Sequence, residues 1–183
     1  MSTDGVHAVV LCEDQQQECF IRRFLMLRNY TWRGLYVKKP PPGRGSAEQF
    51  VREEFPRELT AYRSRSSRCA ICLIVCIDAD NLAVEERVNS LVKACADGGV
   101  SPRRNGEKVC FVVPKRNIET WLAYLRGEPV DEQTTYRKYS CPSDCQGDVE
   151  RLDKMCREQK LRPEPPPSLP YACEEFGHLQ LCH

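Results

Sequence analysis

The sequence predicts an α/β protein of three layers: a central, mostly parallel four-stranded sheet with helices on both faces and a helical C-terminal extension. Three observations predict it. Four short runs rich in aliphatic residues each precede a stretch with helical spacing. The runs are apolar nearly throughout, as strands buried on both faces are. The strand-then-helix order repeats along residues 6–127, the pattern that crossover connections in a parallel sheet produce.

VHAVVLC (6–12) is the first expected strand. QQQECFIRRFLMLRN (15–29) is the first helix, with Phe20, Phe24 and Leu27 at helical spacing beside Ile21 and Leu25. WRGLYV (32–37) reads as strand two, and KKPPPGRGS (38–46) as a loop by its prolines and glycines. AEQFVREEFPRELTAYRSR (47–65) is helical, and Pro56 is expected to kink or divide it. CAICLIVCI (69–77) is strand three. NLAVEERVNSLVKACADGG (81–99) is a helix stopped by Gly98 and Gly99. KVCFVV (108–113) is strand four, and NIETWLAYLRG (117–127) is its helix. Trp121, Leu122 and Leu125 read as core, not as a base-stacking platform. Residues 1–127 are read as the sheet domain and 128–183 as an extension packing on it. The extension holds a helix around 147–160, the stiff connector RPEPPPSLP (162–170) and a candidate helix in YACEEFGHL (171–179).

Composition narrows the function classes. The net charge is +1, so any affinity for nucleic acid has to come from a local patch. No run of 18 apolar residues suggests a membrane span, and the first residues lack the pattern of a signal peptide. Of the twelve cysteines, Cys12, Cys72 and Cys76 fall in apolar runs, where the thiol acts as a small hydrophobe. This suits a reduced, cytoplasmic protein. The alternative is zinc held by Cys141 and Cys145 of CPSDC with Cys173, His178, Cys182 or His183, although the halves form no recognised finger spacing. His7 reads as structural.

The chemistry concentrates in LIVCIDADN (73–81), where an aliphatic strand ends in Asp78 and Asp80. Ligands of open parallel sheets bind at the carboxyl ends of the strands. Glu13 and Asp14 follow strand one and reach the same edge. If strands one and three are neighbours, these carboxylates share one space, and a hard cation such as Mg²⁺ or Mn²⁺ would relieve their repulsion. Lys38, Lys39 and Arg44 follow strand two, and Lys115 and Arg116 follow strand four, so five bases flank the acids and suit substrate phosphates. The glycines of GRGS (43–46) could offer backbone N–H groups to a phosphate. Arg63, Arg65, Arg68, Arg103 and Arg104 precede strands and belong to the opposite edge. Plainer readings compete: Asp80 as an N-cap, Glu119 as an acid favoured by its helix dipole, Lys38 and Lys39 as a solvated loop.

Glu13 after the first strand, Gly43 or Gly45 after the second, and Asp78-x-Asp80 after the third resemble the Toprim fold. The chain is most similar to stand-alone Toprim-like proteins of bacteria, related to the nuclease domains of the OLD family, that pair GRGSAEQFVREEFPRELTAYRSR with VPKRNIETWL. The resemblance covers roughly residues 6–126. It implies a Rossmannoid fold, metal-dependent phosphodiester cleavage of DNA or of RNA such as tRNA, an ATPase partner and a role in defence against phage. It implies Glu13, Asp78 and Asp80 as metal ligands, with Glu13 alternatively the general base and Lys115 or Arg116 neutralising transition-state charge. Glu119 is a further candidate acid. Related nucleases carry a second acid one helical turn after the first, where this chain has Gln17, with Glu18 beside it. That departure favours a second reading, a non-catalytic module that docks on an ATPase. A nucleotide-binding domain is a weaker reading, because no glycine-rich loop follows strand one.

Overall fold

A computed structural model describes residues 7–43 and 45–179. Arg44, Val6 and the tail residues Cys182 and His183 lie outside the described residues. Four strands, β1 (His7–Leu11), β2 (Leu35–Lys38), β3 (Ile71–Cys76) and β4 (Val109–Val112), form one all-parallel sheet in the order β2-β1-β3-β4. β1 and β3 are therefore neighbours, with Leu11 opposite Val75.

The pleat explains the two cores. Ala8, Val10, Cys72, Ile74, Cys110 and Val112 face one side, and Val9, Leu11, Leu73, Val75 and Phe111 the other. The first side packs against helices α1 (Gln15–Leu27), α4 (Ile118–Arg126), α5 (Gln146–Arg157) and α6 (Ser168–Gly177). The second packs against α2 (Ala47–Ser66) and α3 (Val84–Asp97). Trp121 lies in the first core, its indole N–H donating 2.8 Å to Ser168 Oγ.

Several boundaries differ from the sequence expectation. Residues 32–34 form a 3-10 turn instead of opening strand two, so β2 starts at Leu35. Pro56 does not divide α2, which runs unbroken through it; Val51, Phe55 and Leu59 pack on both sides of the proline and hold the helix together. Helix α3 starts at Val84 with Ala83 as N-cap, so Asp80 is not its cap. Cys156 and Cys173 form a disulfide, joining α5 to α6. The expectation of wholly reduced cysteines fails at this pair, because two packed helices bring the sulfurs together. Cys173 is then no zinc ligand, and Cys145 is a buried core thiol.

Side chains close the β4 edge of the sheet. At β4, Glu175 of α6 accepts the Phe111 N–H at 2.7 Å, and Arg103 donates to the Val109 carbonyl at 3.0 Å. Arg103 and Glu175 also pair with each other at 2.5 Å. Side chains thus satisfy backbone groups that another strand would otherwise take. Replacing Glu175 with Ala strands both Arg103 and a buried N–H. We expect a loss of about 3 kcal/mol in urea unfolding, and a smaller loss for Glu175→Gln.

Candidate active site at the carboxyl edge of the sheet

The connections of β1 and β3 leave in opposite directions: β1 leads through α1 to β2, and β3 through α3 to β4. A crevice opens at such a switch point, where open α/β sheets bind ligands. β3 also outruns β1. Beyond Cys76 its ladder continues, with Ile77 N–H donating to Val112 O at 3.0 Å and Ala79 N–H to Pro114 O at 2.8 Å. Alternation turns the intervening Asp78 N–H toward the β1 side. There Glu13 Oε1 accepts it at 2.5 Å. The side chain of Glu13 takes the place that a longer β1 would fill.

Gln17 completes the link. Its Oε1 accepts the Glu13 N–H at 2.9 Å, which fixes the amide so that Nε2 donates to Asp78 Oδ1 at 2.9 Å. Its position is set by Asp14, the N-cap of α1, whose Oδ1 accepts the Gln17 N–H at 2.8 Å. Gln17 is only 1% exposed. A neutral amide thus stands one helical turn after Glu13, between it and Asp78. Glu18 brings no acid there, because its carboxylate turns away to Arg22 at 2.8 Å and Lys39 at 2.6 Å.

Burial, opposed by the hydrogen bond from Asp78 N–H and reinforced by Asp80 and Asp14, pushes the Glu13 carboxyl up to about 7. Burial first, then the charges of Glu13, Asp14, Asp80 and Glu119, hold Asp78 well above the usual carboxylate range. Burial likewise raises Glu119, with Lys138 opposing it. Asp80 is different. Its side chain is 58% exposed and reaches Arg87 Nη2 at 3.3 Å. Its backbone has φ 55°, a left-handed conformation that Asp tolerates better than most residues. Arg87, buried in α3, also donates to Glu48 of α2 and so ties that loop to the second helical layer.

The structure brings Glu13 and Asp78 together, with Asp80 and Glu119 in electrostatic reach. It commits the flanking bases elsewhere: Lys38 to Glu58, Lys39 to Glu18 and Gln15, Lys115 to the Leu82 carbonyl, and Arg116 to Thr135 Oγ1 at 2.9 Å. A phosphate would have to compete with those partners. Gly43 and Gly45 hold φ of 76° and 59°, values that favour glycine, ahead of the α2 N-cap Ser46. Sequence reasoning passed over Arg87 and Lys138. Arg87 had a signal, a base in the first turn of the helix after Asp78-x-Asp80. Lys138 had none, because it follows no recognisable element.

The donors suit Mg²⁺ or Mn²⁺ by chemistry: carboxylate oxygens whose mutual repulsion a divalent charge relieves. Glu119 Oε1 is buried with no hydrogen-bond partner, and the Lys138 ammonium stands 3.7 Å from it. The side chains as placed form no closed shell; among the described residues no three acids, cysteines or histidines are grouped to hold an ion. The chain matches no protein-family model, no curated protein and no solved structure.

The Glu13 shift predicts a pH dependence of the metal-free protein. The folded state holds the Glu13 proton up to about 7, the unfolded chain only to its ordinary 4.5. Between these values the folded state binds more protons, so stability is fully present below the lower value and falls as pH rises through the upper one. The melting temperature of wild type should therefore drop from pH 5 to pH 7.5 (~), and Glu13→Gln should flatten the decline.

Proposed function

We propose that this chain is a metal-dependent phosphodiesterase that cuts nucleic acid, either DNA or a structured RNA such as tRNA. One observation carries the reading: the hydrogen bond that locks Glu13 against the Asp78 backbone at the switch point of the sheet. Rigid strand ends hold these acids, and a stiff mount is what a coordinating or proton-transferring pair requires. Glu13, Asp78 and Asp80 would hold Mg²⁺ or Mn²⁺, with Glu119 a further acid at the rim. Such an ion supplies charge for the attacking and leaving oxygens of phosphoryl transfer. The contact to Asp78 uses one Glu13 oxygen; Glu13 would be a ligand of the ion or, alternatively, the general base that takes a proton from the attacking water. Water adds to phosphorus, the bond to the leaving sugar oxygen breaks, and that oxygen takes up a proton. Lys115 and Arg116 on one side, and Lys38 and Lys39 on the other, would contact flanking phosphates, as would Arg44, which lies outside the described residues.

A second reading has its own support. The neutral Gln17 at the centre and the internal partners of the bases suit a non-catalytic module that docks on an ATPase. The ATPase partner and the defence role rest on the resemblance alone. A cytoplasmic setting is supported by the nine free cysteines among the described residues. Among those residues no helix is long and apolar enough to cross a membrane.

Calorimetry with Mg²⁺ and Mn²⁺, run beside cleavage of plasmid DNA and total tRNA, separates the readings. The nuclease reading expects ion binding in wild type, and its loss in Asp78→Asn together with a drop in cleavage of about a thousandfold. Ion binding without cleavage of either polymer would favour the docking module. No binding at millimolar metal would remove the metal site altogether.

A further inference from the structure

Lys138 is the base that the fold pairs with Glu119, a buried acid of this site. Its Nζ stands 3.7 Å from Glu119 Oε1, beyond hydrogen-bond length. That oxygen has no hydrogen-bond partner at all. The two residues are unequal. The Glu119 side chain is 1% exposed and fixed at the start of α4, whereas that of Lys138 is 71% exposed.

Lys138 also rides on an unusual support. Residues 128–141 contain neither helix nor strand and return from the end of α4 to the site edge. Contacts on both sides hold this strap down: Arg116 donates to Thr135, and the Tyr139 hydroxyl to Asp148. At its far end the Pro142 carbonyl accepts from Gln16 of α1 at 3.1 Å. The strap is thereby held on the body of the protein, while the long stem of Lys138 is exposed to solvent. Glu119 is buried, so the ammonium leaves it only when another positive charge takes its place. The described bases Lys38, Lys39, Lys115 and Arg116, in contrast, would each forfeit a formed contact.

We propose that Lys138 is a substrate-phosphate-contacting residue, resting on Glu119 until a divalent ion supplies positive charge there and then engaging a backbone phosphate. This rests on the phosphodiesterase reading above. The exchange follows from charge: an ammonium and a divalent cation repel each other, so each weakens the other's hold on the same carboxylate. Released, the ammonium faces solvent at the mouth of the crevice, where a polyanion would arrive.

The test uses the full chain as wild type, Lys138→Met, Lys138→Arg and Asp78→Asn. Mg²⁺ affinity is measured by calorimetry. Affinity for a duplex DNA oligonucleotide and for total tRNA is measured with Mg²⁺ across a salt series. Removing the competing ammonium should tighten Mg²⁺ binding about two- to fivefold in Lys138→Met, the span of one exposed charge pair. The slope of log affinity against log salt for the duplex should become shallower by about 0.9, one phosphate contact. Lys138→Arg should keep the wild-type slope. Unchanged Mg²⁺ affinity in Lys138→Met, an unchanged slope, or no binding of either polymer would overturn the inference. Failure of the underlying reading shows differently: wild type then binds no Mg²⁺, Asp78→Asn matches it, and both proposals fall together. Mg²⁺ binding lost in Asp78→Asn but indifferent to Lys138 overturns this inference alone.

Discussion

The site depends on a mismatch of strand lengths. β3 continues its pairing on the β4 side for four residues, to Ala79, after its ladder with β1 has ended at Leu11 and Val75. A backbone N–H left over at that point would be buried and unpaired, a penalty of about 1–3 kcal/mol. Glu13 removes the penalty with a carboxylate, and so brings a charge to the spot where Asp78 brings another. Gln17 and Arg87 are secondary to this arrangement. One bridges Glu13 and Asp78, and the other anchors Asp80 to α2 and α3. The raised proton affinities of Glu13, Asp78 and Glu119 are the electrostatic consequence of assembling these groups away from water.

The extension beyond α4 belongs to the same body. Helix α5 lies along α1, where Arg28 pairs with Asp153 at 2.5 Å and Arg157 donates to the Leu27 carbonyl at 2.8 Å. Helix α6 supplies Phe176, stacked on Phe24 with ring centroids 4.0 Å apart, and the Glu175 that closes the β4 edge. The strap between α4 and α5 then reaches back to the carboxylates. One stretch of chain therefore completes the first core, covers one edge of the sheet and brings a base to 3.7 Å from Glu119.

Much of this was legible in the residues. Apolar runs located the strands, because burial on both faces leaves no room for alternation, and the ends of those runs located Glu13 and Asp78. Boundaries were less legible where local signals compete with packing. Pro56 argued for a break, yet the apolar residues around it outweighed one missing hydrogen bond. Asp80 looked like an N-cap, but the turn at Asp80 and Asn81 delays the helix to Val84. Lys38 and Lys39 were placed on the correct edge, but charge runs do not reveal their partners, and Glu58 and Glu18 lie on different helices. The Cys156–Cys173 bridge and the approach of Lys138 to Glu119 are products of tertiary packing across separate elements. No spacing rule encodes them.

The cysteines carry a consequence for the life of the molecule. Cys12, Cys72, Cys76 and Cys110 are buried in or beside the strands, and burial raises all four thiols, so they are inert while the fold holds. Their protection is conformational and ends at once when the sheet opens. A chain that unfolds under oxidising conditions would release several reactive thiols together, beside a disulfide already able to exchange. Mispairing then competes with refolding, and the return path closes. The durability of these four thiols under oxidation is for that reason governed by how rarely the sheet opens, a rate and not an equilibrium.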